Sequence, residues 1–150
     1  MATLAELLAS SLAALKQVQQ SGDFTIVKSG ELSPTHLKRL LANHFLMPVI
    51  KGWYIVTDPR AVPGDSTAWY ASFWNFILRY ATERYGKEWC LSAEQSLAIY
   101  SGSTTVPKQV LIRSPKGNNN SLELLPPTSL FNLEAALPSR IDTDNPYRLN

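Results

Sequence analysis

The stretch Glu31–Val56, ELSPTHLKRLLANHFLMPVIKGWYIV, decides the fold of the N-terminal part of the chain. Ser33 stands where it can cap a helix whose first residue, Pro34, gives up no needed hydrogen bond, because the first N–H groups of a helix have no intrahelical partner. Leu37, Leu40, Leu41, His44 and Phe45 recur at helical spacing and form one apolar stripe, with His44 half-buried in it. Thr35, His36, Lys38, Arg39 and Asn43 are assigned to the opposite, outward face. Pro48 is expected to stop the helix. Val49, Ile50, Trp53, Tyr54, Ile55 and Val56 are strand formers divided by Lys51-Gly52, a hairpin tip that carries a cation. The expected order is helix, turn, β-wing.

Upstream, Leu4, Leu7, Leu8, Ser11, Leu12, Leu15 and Val18 repeat with helical period across Thr3–Gln20, as one helix or as two broken near Ser10-Ser11. Phe24-Thr25-Ile26-Val27 reads as a first strand for the wing sheet, and Lys28-Ser29-Gly30 as a turn. A helix over 24–32 is the alternative, disfavoured by the β-branched run and Gly30.

Downstream, Asp58-Pro59-Arg60-Ala61-Val62-Pro63-Gly64 reads as a bridge between two domains, 1–58 and 65–138, followed by a tail over 139–150. Asp65 or Ser66 caps a long helix ending at Gly86, with Trp69, Tyr70, Phe73, Trp74, Ile77, Tyr80, Ala81 and Arg84 on one face. Such an aromatic stripe is read as core. Ser92 caps a shorter helix through Tyr100, closed by Gly102. Val110–Ile112 and Leu122–Leu125 read as two strands joined as a hairpin by the loop at 114–120, and Thr128–Leu137 as a short helix closed by Pro138. The fold class is α+β: a winged helix-turn-helix followed by a small α/β domain with a long aromatic-striped helix and a β-hairpin.

Composition narrows the function. With 150 residues, 45% hydrophobic, the chain can bury a sizeable core. Its single cysteine, Cys90, forms no internal disulfide and reads as a buried packer. No secretion signal and no apolar run near ~18 residues is seen, so a cytoplasmic protein outside the membrane is expected. The net charge is +2, and residues 1–57 hold all of that excess: Lys16, Lys28, Lys38, Arg39 and Lys51 against Glu6, Asp23 and Glu31.

Two histidines eight residues apart and one distant cysteine are too few for a zinc site, and neither a phosphate loop nor a nucleophile elbow is present. No catalytic residue, metal or cofactor is therefore expected. What stands out is a polar helix face leading into a basic wing, a pattern suited to double-stranded DNA. Thr35, His36, Arg39 and Asn43 are the candidate base contacts, and Lys28, Lys38 and Lys51 the candidate phosphate contacts.

Leu32–Leu41 through Lys51-Gly52-Trp53-Tyr54 resembles the N-terminal winged helix of AbiEi-type antitoxins and related transcriptional regulators. Ser66–Trp74, Trp89–Leu97 and Val106–Pro115 are similar to the region that follows that winged helix in a subset of Fic-domain proteins. The match runs over roughly residues 4 to 138. It implies a bacterial or phage DNA-binding protein in a regulatory or toxin–antitoxin setting, with a cognate toxin, a Fic domain or a second copy as further partners. The Fic catalytic loop H-x-F-x-[DE]-G-N-G-R is missing, since no histidine follows His44. The resemblance therefore implies a regulator, or alternatively the non-catalytic interaction module of a Fic-type adenylyltransferase.

Overall fold

Thr3 and Glu6 close a reciprocal cap at the start of the first helix: the Glu6 amide donates to Thr3 Oγ1 at 3.2 Å, and the Thr3 amide to Glu6 Oε2 at 3.1 Å. That helix, α1, is continuous over Leu4–Ser21. A computed structural model describes residues 1–21 and 25–137, so the expectations at Phe24 and over Pro138–Asn150 lie outside the described residues. The chain is α+β, with four helices and two sheets among those residues. Packing divides it into Met1–Asn75 and Phe76–Asn150, and the expected break at Asp58–Gly64 falls inside the first unit.

In the first unit, α1 is followed by β1 Ile26–Lys28, α2 Pro34–Ala42, β2 Leu46–Ile50 and β3 Trp53–Val56. The strands form an antiparallel sheet in the order β1-β3-β2. Between β1 and α2 the chain makes turns, with Gly30 at φ 99°, and no second helix. Leu15, Val27, Leu32, Leu40 and Leu46 are buried together, so both helices and the sheet share one core.

The end of α2 corrects the sequence reading. The helix stops at Ala42, six residues before the proline expected to stop it, and Pro48 lies within β2. Asn43 is the C-cap and His44 turns left-handed at φ 63°. The Phe45 amide then reaches Leu40 O at 3.0 Å and the His44 amide reaches Leu41 O at 3.2 Å, the two bonds of a Schellman ending. His44 is exposed by that turn rather than half-buried in the stripe. Gly102, at φ 94°, ends a later helix in the same way, with Gly102 and Ser103 amides on Ile99 O and Ala98 O.

The long helix α3, Thr67–Tyr85, gives Thr67–Asn75 to the first unit and Phe76–Tyr85 to the second. Most of its aromatic stripe is core, since Trp69, Phe73, Ile77, Tyr80 and Ala81 are buried together with Phe76, whereas Trp74 is half-buried and Tyr70 and Arg84, expected on the same face, are exposed. The helix is 19 residues long, yet no helix among the described residues is long and apolar enough to cross a membrane.

In the second unit β4 Cys90–Leu91, α4 Ala93–Tyr100, β5 Gln109–Ser114, β6 Asn120–Glu123 and β7 Ser129–Glu134 follow. Two expectations fail here. The 128–137 stretch holds a strand in place of a helix, and β5 and β6 are not a hairpin, because β7 lies between them in the order β4-β5-β7-β6. β7 runs parallel to β5 over six residue pairs and antiparallel to β6. Leu130 and Asn132 point inward at period two, and the ladder from two neighbours overrides a local sequence that also suits a helix.

The loop after β5 must therefore pass over the end of β7. It does so by bringing its backbone against that strand: a Cβ on Gly117 would sit 2.5 Å from the Leu133 carbonyl oxygen. Asn119, at φ 57°, donates its amide to Asn132 O at 2.8 Å and takes the Glu134 amide on its side-chain oxygen at 2.9 Å. On the other side of β5, where β4 is only two residues long, Gln95 of α4 replaces the missing strand. Its amide nitrogen donates to Gln109 O at 2.7 Å and its oxygen accepts from the Leu111 amide at 3.0 Å.

Gly117→Ala is expected to lower the unfolding free energy by about 1–3 kcal/mol, since the clash is with backbone that cannot swing away. A urea midpoint equal to wild type would show that the loop does not run against β7. A second expectation concerns alkaline stability. The buried Tyr85 hydroxyl donates to Asn132 Oδ1 at 2.7 Å, and burial raises its pKa above the ordinary phenol value. With the folded value raised, the contribution is complete below the ordinary phenol pKa and is lost as the pH climbs through the folded value. Urea midpoints should thus fall less steeply above pH 10 in Tyr85→Phe than in wild type; parallel curves would contradict it.

Candidate functional site

The candidate residues sit on α2, on the β2–β3 turn and on β1. Spacing along α2 already separates them. His36 lies four residues before Leu40 and hence on its face, Arg39 lies on the flank, and Thr35, Lys38 and Ala42 point away from it. The expectation that His36 and Arg39 face outward fails for this reason, and α1 is what they meet.

Ser11 is the meeting point, fully buried on α1. Arg39 Nη1 donates to Ser11 Oγ at 2.8 Å and to the Leu7 carbonyl at 3.1 Å. Ser11 Oγ is also 2.8 Å from His36 Nδ1. One serine thus joins both side chains to α1, and both are half-buried.

The other candidates divide. Thr35, Lys38, Asn43 and Lys51 are exposed. Asn43 uses its Nδ2 to bond Arg39 O at 2.8 Å, closing the helix end. Lys51 stands in the turn between β2 and β3, where Gly52 at φ 86° lets the chain reverse and its carbonyl accepts the Ser29 amide at 2.8 Å. Lys28 is half-buried, with its ammonium 5.5 Å from the Trp53 ring centre and Trp53 as its cross-strand partner. Two cations, Lys38 and Lys51, are therefore presented openly on successive elements.

One feature of this unit escaped the sequence reading. A groove of about 920 Å³ runs between Leu41, His44, Leu46, Met47 and Pro48 on one side and the Thr57–Asp65 segment on the other. The two prolines and Gly64 of that segment are the signal for two successive turns, closed by the Ala61 amide on Asp58 O and the Asp65 amide on Val62 O, both at 3.0 Å. Arg60 holds Asp58 in a two-pronged pair at 3.1 and 3.2 Å, and those hydrogen bonds keep the Asp58 carboxyl below the usual range. The Asp65 carboxyl is likewise held low, by the hydroxyl and amide of Thr67.

No group of three His, Cys, Asp or Glu side chains that could hold a metal ion occurs among the described residues, and Cys90 is buried. In comparisons with known proteins, no family model, curated protein or solved structure matches the chain.

The hydrogen bonds make Arg39 a structural residue. Arg39→Ala is expected to reduce unfolding stability by about 1.5–3 kcal/mol, the range for hydrogen bonds to a charged group. Ser11→Ala should follow in the same direction. Stability unchanged in Arg39→Ala by urea denaturation would place the guanidinium back in solvent.

Proposed function

We propose that the protein is a non-enzymatic, cytoplasmic DNA-binding regulator or antitoxin-like protein whose first unit is a winged helix. In this reading α2 takes the place of the recognition helix and the β2–β3 hairpin is the wing. The observation that carries it is the pair of exposed cations, Lys38 on α2 and Lys51 at the hairpin turn, on elements that follow one another directly. Cations so placed can neutralise phosphates of one duplex from two elements. The β2–β3 hairpin following α2 and the strand order β1-β3-β2 support the same reading, with turns between β1 and α2 in place of the second helix of a helix-turn-helix, as does the excess of positive charge over residues 1–57.

The competing reading, an interaction module for a Fic-type enzyme or a toxin, calls for an apolar surface around Trp53, Tyr54 or Trp69. Trp53 is 7% exposed, Trp69 is 1% exposed and Tyr54 is half-buried. The surface that reading needs is not at those residues.

Fluorescence anisotropy on a labelled duplex over a salt series tests the proposal. Binding is expected at low salt and should weaken linearly on a log–log plot. Lys38→Ala and Lys51→Ala should each weaken every duplex alike and reduce the salt slope by about one. Absence of binding at low salt, or slopes that neither substitution alters, would refute it.

A further inference from the structure

On the reading that the protein binds duplex DNA, we infer that it holds the duplex by its phosphate backbone and does not select a base sequence through α2. The inference follows from which side chains that helix leaves outward. Bidentate recognition of guanine needs an arginine or lysine brought flat to the O6 and N7 edge, and adenine needs an asparagine or glutamine presented in the same way. Arg39 is the one arginine of α2, and its Nη1 is held by the Leu7 carbonyl and by Ser11 Oγ, at 3.1 and 2.8 Å. His36 is held by Ser11 through Nδ1. Asn43 commits its amide nitrogen to Arg39 O at 2.8 Å.

What remains on the outward row is Thr35, Lys38 and Ala42, all exposed and spaced along one face of a nine-residue helix. A threonine hydroxyl pairs with several bases, an alanine methyl contacts thymine only, and lysine is a point charge as well satisfied by phosphate as by guanine. Lys51 on the hairpin adds a second point charge. Such a surface has charge for the backbone and no fork for the base edges. Turning Arg39 outward would give up both of its hydrogen bonds to α1, so the α1–α2 brace opposes the rearrangement that base reading requires.

Selection from a library of 20-base-pair duplexes with a randomised centre tests the inference, with anisotropy of the unselected library run alongside. The library is expected to bind at low salt with a steep salt dependence, and no base at any position of the bound pool should be enriched threefold or more. Enrichment of a defined motif by threefold or more would overturn sequence-independent binding and leave the DNA-binding reading standing. Failure of the unselected library to bind at low salt, with the bound pool also empty, would overturn that reading and this inference with it.

Discussion

The first unit depends on one buried serine. Ser11 places a hydroxyl where α1 meets α2, and that single oxygen accepts from the Arg39 guanidinium and shares a hydrogen bond with the His36 ring. Without it, two polar side chains on the inner half of α2 would have to leave the interface or remain there with unmet hydrogen-bonding groups. The leucines of both helices bury the α2 face centred on Leu40, which sets the rotation of the helix, and the hydrogen bonds to Ser11 hold the polar side chains on the flank of that face in place. Lys38 and Thr35 are the external residues because Arg39 and His36 are the internal ones.

A similar economy of groups holds the second unit. β7 sits between β5 and β6, and the chain reaches that arrangement by a loop that lies directly on β7. Gly117 provides the close approach and Asn119 satisfies the backbone of the strand end, while Gln95 completes the ladder on the opposite side of β5. Side-chain amides stand in for strand backbone at both places. This is how a sheet of short strands, one of them only two residues long, pairs backbone groups at its ends.

Much of this was legible where the chemistry is local. Ser33 and Ser92 cap the helices expected of them, Gly102 closes α4, and Trp69, Phe73 and Tyr80 of the aromatic row of α3 are buried. What was hidden depends on partners distant in the chain. His44 continues the apolar spacing of α2 numerically, yet the helix ends two residues earlier, because the left-handed turn that ends it needs no glycine. Ser129–Glu134 has residues fit for either helix or strand, and its partner β5 begins twenty residues upstream. The candidate site was half legible for the same reason. Spacing is enough to put Lys38 on the outward face of α2 and Lys51 in the hairpin turn, but the fate of Arg39 rests on where Ser11 of α1 lands, 28 residues away. The spacing of four between His36 and Leu40 was the clue that part of the polar face turns inward.

The most direct test of this account is a double-mutant cycle between Ser11 and Arg39, using Ser11→Ala, Arg39→Met and the double variant, read by urea unfolding. If the serine is the anchor of the guanidinium, the pair should show a coupling of about 1–3 kcal/mol, and the double variant should lose less stability than the two single losses added together. Additive losses would mean that the two side chains do not meet, that Arg39 is free to turn toward a ligand, and that the division of α2 into a braced side and a binding side is wrong.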